Sequence, residues 1–176
     1  MKTFSLLLIL FTLFTRLTAQ LPTNLIQNGT FTQGTQGWFL GEHEGASGKI
    51  EALPATAADP ARLRFTLLKP GTEHWTVQLI HGNVPLRQGQ SYRITFRARA
   101  DRYRVFGVAL QMGKAPWKTI DGKWDVSCGT DWTPVEVVLK SYQTMEFGRL
   151  QIGNLGKNRG WLEITDISVA PVTRHP

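Results

Sequence analysis

Tyr92, Ile94, Phe96 and Ala98 alternate with Arg93, Thr95, Arg97 and Arg99. A period of two in apolar and polar residues sets one face of a strand against a core and leaves the other in water. Upstream, Val77 and Leu79 alternate with Thr76, Gln78 and Ile80, and Arg87-Gln88-Gly89 marks a turn between the two patterns. No stretch sustains a helical period. From Leu21 onward, short apolar segments are broken by Gly, Pro, Asn and Asp about every ten residues, the spacing of an all-β sandwich or barrel.

Strands are expected at 24–31, 47–53, 62–68, 74–81, 90–100, 103–112, 117–126, 134–140, 147–153 and 160–170. Turns are expected at Gly34–Gly37, Pro54–Pro60, Lys69-Pro70-Gly71, Arg87-Gln88-Gly89, Asp121-Gly122 and Gly156–Gly160. Trp38, Phe96, Phe106 and Trp132, with the Val, Ile and Leu of the inward faces, would then fill the core of a single domain over residues 20–176.

The first 19 residues read differently. Lys2, an apolar run from Phe4 to Phe14 and Leu17-Thr18-Ala19 before Gln20 have the layout of a secretory signal cleaved after Ala19. The run is too short to span a bilayer comfortably, and although Arg16 is atypical and a retained anchor is the alternative, export is expected, with no membrane association after cleavage. The expected location is secreted or periplasmic. Loss of Lys2 and Arg16 with this segment lowers the formal charge of +7 by two. The modest excess informs solubility and association with anionic partners rather than identity. Cys128 is the single cysteine, which excludes an intrachain disulfide and leaves a structural or free thiol as the expected role.

Catalytic patterns are sparse. The carboxylates are scattered over turns, and His43, His74, His81 and His175 have no metal-ligand spacing. His74 and His81 read as exposed strand residues. A two-carboxylate glycosidase could form only if distant residues converge across a cleft. Arg93, Arg97 and Arg99 share a strand face, which a solvated surface explains more simply than nucleic acid does.

A surface of polar planar side chains beside aromatic rings suits sugars, whose C–H faces pack on indoles while their hydroxyls exchange hydrogen bonds with amides. In YRVFGVALQM, Phe106, Val108 and Leu110 are expected in the core, which gives Gly107, Ala109 and Gln111 to the opposite face. Leu150 and Ile152 likewise turn Arg149 and Gln151 outward, and Trp117 ends the loop that leaves Gln111.

The segments NLIQNGTFTQGTQGW, HWTVQLI, GQSYRITFRARA, VALQMGKAPW, DWTPVEVVL and RLQIGNLGKNRGWLEITDISV, in this order from about Leu25 to Val169, resemble the carbohydrate-binding modules of families four and nine. These are cellulose-, β-glucan- and xylan-binding, galactose-binding-domain-like modules usually appended to secreted glycoside hydrolases. The resemblance implies a jelly-roll β-sandwich of two mainly antiparallel sheets. A concave face would bind a glycan chain without cleaving it. It implies that Trp75 and Trp117 flank the groove, that Gln78, Gln111 and Gln151 line its floor, and that Asn154 joins them. Trp38 and Trp132 correspond to core tryptophans. A structural calcium is implied at Thr30, Gly48 and Asp166, although Thr30, Thr32 and Thr165 replace acidic residues of many relatives. The implied partners are a β-glucan or xylan and a glycoside hydrolase on a separate chain. A small secreted hydrolase using the same cleft, or an adhesion module, stand as alternatives.

Strand parity bears on two residues of this surface. Trp75 and Gln78 fall on opposite faces of a regular strand, so Gln78 is expected on the floor and Trp75 on the rim. The alternation slips in RLQIGNLG, where a bulge at Gly153 is expected and the facing of Asn154 is open.

Overall fold

The computed structural model describes residues 24–172, so the expected signal segment lies outside the described residues. Ten strands form two five-stranded sheets. They are β1 (Trp38–Glu42), β2 (Ser47–Leu53), β3 (Arg62–Lys69), β4 (Val77–Leu86), β5 (Ser91–Ala100), β6 (Arg104–Gln111), β7 (Thr119–Cys128), β8 (Thr133–Lys140), β9 (Met145–Gly153) and β10 (Gly160–Pro171), with a 3-10 turn at His74–Thr76. Sheet A has the order β1-β4-β9-β6-β7 and sheet B the order β2-β3-β10-β5-β8, and all pairings are antiparallel. The chain is a jelly-roll β-sandwich.

The alternation read in β5 is the alternation built. Tyr92, Ile94, Phe96, Ala98 and Ala100 are buried between the sheets, where they meet Leu63, Phe65 and Leu67 of β3, Phe106, Val108 and Leu110 of β6, and Leu150 and Ile152 of β9 in one apolar core. In β10 the spacing changes: Ile164 and Ile167 are both buried although three residues apart. A bulge between Thr165 and Ser168, with Asp166 at φ 56°, absorbs the extra residue.

Some expected elements differ. Residues 24–31 form no strand and turn at 27–30, because Asn28 and Phe31 have φ near +55° and the Asn28 amide donates to the carbonyls of Gly34 and Gln36. The unexpected strand β1 starts at Trp38, a buried residue as expected. Asp121-Gly122 lies inside β7 and is no turn. Gly122 pairs with Ala109, and a Cβ there would stand 3.0 Å from the Ala109 methyl. His81 is buried, not exposed: its Nε2 bonds the Gln27 carbonyl at 3.0 Å and its ring packs edge-on against Trp38. Cys128 is buried too, and burial pushes its thiol up to about 11, so it rests protonated.

The outer face of sheet B is a ladder of ion pairs. Glu163 is fully buried and accepts from Arg64 Nε at 2.8 Å and Arg99 Nε at 2.7 Å, with Arg62 Nε at 3.1 Å. Arg99 also donates to Asp59 at 2.7 Å, Arg97 to Asp166 at 2.9 Å, and Arg93 faces Glu136 at 3.5 Å. Trp132 belongs to this layer and not to the core. It is half-buried beneath the guanidinium of Arg99, and its Nε1 donates to Asp59 at 3.0 Å. Arg64 lies over Trp161 in the same way.

Burial opposes ionisation of Glu163, but hydrogen bonds from Arg99, Arg64 and Arg62 outweigh it and hold the carboxyl below its ordinary value of 4.5. A carboxyl lowered by folding stabilises the native state fully above its unfolded value, and that contribution is lost as pH falls through the folded value. Urea denaturation is therefore expected to show stability declining below about pH 4.5, less steeply in Glu163→Gln. At neutral pH that variant, which strands buried guanidinium groups, is expected to lose about 3 kcal/mol.

Candidate functional site

On the face of sheet A turned away from the core, strand pairing lines up short rows of side chains. Phe39 sits beside Ile80, Ile80 beside Gln151, Gln151 beside Ala109, and Ala109 beside Gly122. A neighbouring row carries Gly41 beside Gln78 and Gly153 beside Gly107, and another sets Arg149 and Thr119 on either side of Gln111. The small residues leave an open depression of about 450 Å³ lined by Trp75, Gln78, Gln111, Trp117, Thr119, Trp124, Gln151 and Asn154. All six positions named from the sequence for sugar binding thus come together on one surface. Two residues, Thr119 and Trp124, are additions.

Trp75 and Gln78 share this surface because Trp75 precedes regular pairing. It lies in the 3-10 turn, and the Gln78 side-chain amide donates back to the Trp75 carbonyl at 3.1 Å. His43 packs against the indole with ring centroids 5.6 Å apart. Asn154 follows the last residue of β9 with φ 60°, so the slip in RLQIGNLG is the end of the strand; the expected bulge at Gly153 is absent, and Gly153 pairs regularly with Gly107. The loop after Asn154 is tied to the 3-10 turn by Gly156 N donating to the His74 carbonyl at 2.9 Å. A Cβ on Gly156 would run into Thr76, so only glycine permits this approach.

Trp117 is held from two sides. The Gln111 amide Nε2 donates to its carbonyl at 2.8 Å, and the Arg149 guanidinium carbon lies 4.3 Å from the ring centroid and 5.5 Å from that of Phe39. Cation–π stacking of this kind fixes the indole plane. Gln111 is therefore a support as well as a floor residue. With its NH₂ engaged by Trp117, its buried Oε1 has no protein partner, and the Oε1 of Gln151 is in the same condition. Each is an acceptor that a hydroxyl could satisfy.

Trp124 was not named from the sequence, and the reason is a bulge. Phe106 pairs with Val126 but Val108 pairs with Lys123, so β7 carries one extra residue against β6. Val126 thereby faces the core while Trp124, two residues earlier, faces the depression. Its indole covers the glycines of three strands: a Cβ on Gly107 would collide with it, and one on Gly122 or Gly153 would stand 3.1 Å from it. Trp75, Trp117 and Trp124 remain 45%, 47% and 42% exposed, which marks them as surface rings and not core residues. Gly107, Gly122 and Gly153 were the available signal, since three glycines in adjacent strands leave room for one flat ring.

Among the described residues, no Asp or Glu lines the depression. The carboxylate pair of a glycosidase is not assembled there. The three positions named for calcium do not converge either. Gly48 pairs with Leu67, and Leu67 with Gly160, which puts Gly48 level with the start of β10. Asp166 is six residues further along β10, roughly 20 Å away at about 3.3 Å per residue. Its carboxylate is engaged by Arg97. Thr30 is exposed beside Gly29, whose carbonyl accepts from Ile167 N at 3.0 Å. These residues do not fit one coordination shell, and among the described residues no group of three or more His, Cys, Asp or Glu could hold an ion.

The family model described as carbohydrate binding domain, for families four and nine, matches residues 23–153. The chain belongs to this carbohydrate-binding family. Among solved structures it is similar to a CBM4 module at 21% identity and a TM-score of 0.71, covering 84% of this chain and 99% of that one. It is also similar to the second N-terminal cellulose-binding domain of Cellulomonas fimi β-1,4-glucanase C at 18% identity and a TM-score of 0.64, with 89% and 99% covered. The first such domain of the same enzyme follows at 18% identity and a TM-score of 0.59, with 85% and 98% covered. At these identities the likeness establishes the fold. No curated protein matches the chain.

Gly107→Ala is expected to tilt Trp124 off its platform, seen as a change in tryptophan emission at unchanged overall fold. Trp124→Ala, which removes a surface ring, is expected to change stability by only about 0.5 kcal/mol. Melting in calcium and in chelator is expected to agree to within about 1 °C, since an ion bound to the native state would raise Tm by linkage.

Proposed function

We propose that the depression on sheet A binds an extended β-linked glucan or xylan chain without cleaving it. The observation that carries this reading is the juxtaposition of two buried, unpartnered amide oxygens, on Gln111 and Gln151, with three half-exposed indoles. The indoles offer flat apolar faces to the C–H faces of pyranose rings, and the amide oxygens accept from their hydroxyls. Gln78 and Asn154 extend the polar lining toward Trp75. The surface is open and, among the described residues, free of carboxylates, which suits adsorption of a polymer better than cleavage of a bond. An exported setting, as read from residues 1–19, is where such a polymer would be met.

An exposed hydrogen bond exchanges with water and is worth only about 0.5–1.5 kcal/mol net, so ring stacking is expected to dominate affinity. Trp117→Ala and Trp124→Ala should each weaken retention on soluble β-glucan or xylan about tenfold or more in affinity electrophoresis, roughly 1.4 kcal/mol. Gln111→Ala should cost nearly as much as Trp117→Ala, because it releases the Trp117 loop besides removing an acceptor. Unchanged retention of both tryptophan variants on every glycan tried would overturn the reading.

A further inference from the structure

Beyond Asn154 the same face of the molecule continues into a second pocket of about 580 Å³, lined by His74, Arg102, Tyr103, Arg104, Val105, Asn154, Lys157, Asn158 and Arg159. Among the described residues, three arginines and a lysine line it and no carboxylate does. The two cavities share Asn154, and His74 precedes the groove tryptophan Trp75. Val105 lies two residues before Gly107 on the same face of β6, about 7 Å along the strand. A chain leaving the depression over Asn154 enters this pocket.

The pocket is built and not a chance gathering of surface cations. Arg104 is buried, and its guanidinium donates to the carbonyls of Asn158 and Arg159, both at 3.0 Å. It thereby holds the loop that carries Lys157. Its Nε is buried without a partner. The nearby Asp101 is engaged by Arg102 at 2.8 Å and Arg104 at 3.3 Å, so it offsets part of the charge. Lys157 is exposed and makes no ion pair among the described residues. The arginines of sheet B differ in this respect, since each is matched by a carboxylate.

We propose that this pocket receives an anionic substituent, a carboxylate or a sulfate ester, carried by the polysaccharide whose neutral stretch lies in the tryptophan-lined depression. The proposal rests on the glycan reading of that depression and adds a preference for acidic polymers. Guanidinium and ammonium groups in a partly enclosed site favour such anions through charge-assisted hydrogen bonds. Lys157 and Arg159, neither in an ion pair among the described residues, supply the charge least committed to the protein, Arg159 keeping one bond, to the Leu68 carbonyl at 3.0 Å. Tyr103, 71% exposed, offers a ring at the rim.

The test compares the full chain on two pairs of polymers: glucuronic-acid-substituted xylan against its carboxyl-reduced form, and a sulfated β-glucan against its parent. Calorimetry is expected to give about tenfold tighter binding to at least one acidic member. That preference should disappear at about 1 M salt, where the Debye length is ~3 Å. The double variant Lys157→Gln, Arg159→Gln should bind both members of each pair with the affinity of the neutral one. Which pair shows the preference distinguishes carboxylate from sulfate. Equal binding to acidic and neutral members by the unaltered chain, or a double variant that weakens both alike, overturns the pocket while leaving the depression standing. No binding to any of the four polymers overturns both. Tighter, salt-sensitive binding to single-stranded DNA that no acidic glycan competes away assigns the pocket to nucleic acid and overturns the proposal.

Discussion

Side chains on a strand alternate, and sheet A is organised by that constraint. Once Phe106, Val108 and Leu110 are committed to the core, Gly107, Ala109 and Gln111 belong to the opposite face. The same holds for Leu150 and Ile152 against Arg149 and Gln151. The core therefore specifies the floor of the depression. Small residues in the central strands let the wall residues lean inward, and Trp124 uses that space by lying over glycines of β6, β7 and β9.

The two sheets put the same residue types to different uses. On sheet B, arginines and tryptophans are consumed internally: Glu163 gathers three guanidinium groups, and Trp132 and Trp161 are capped by Arg99 and Arg64. Little chemistry is left over for a partner. The outer face of sheet A is the reverse, since Trp75, Trp117 and Trp124 there are half-exposed and two of its glutamine oxygens are unmatched. Two of its cations are spent on support, Arg149 beneath Trp117 and Phe39 and Arg104 on the carbonyls of Asn158 and Arg159.

Much of this was legible in the chain because it follows from period-two alternation. β2, β3, β5, β6, β7, β8, β9 and β10 begin within two residues of their expected positions. The six residues expected at the sugar surface share a face. Illegible parts depend on departures from alternation. The left-handed Asn28 and Phe31 replace an expected strand with turns, and the bulge in β7 turns Trp124 to a face that parity with Val126 would deny it. Trp132 is expected in the core as a large aromatic and by its correspondence to a core tryptophan of the family. Its place is decided by Asp59 and Arg99, distant in sequence. The calcium set came from positions matched along the chain, and the register of β2, β3 and β10 separates them.

The six tryptophans divide by location: Trp75, Trp117 and Trp124 on the depression, Trp38 in the core, Trp132 and Trp161 on the outer face of sheet B. Titration of the indole N–H resonances of ¹⁵N-labelled protein with β-glucan and xylan oligosaccharides reads all of them at once. Binding on sheet A predicts saturable shifts at Trp75, Trp117 and Trp124 with Trp132 and Trp161 still. Shifts confined to Trp132 and Trp161, or none with any of these oligosaccharides, would contradict it.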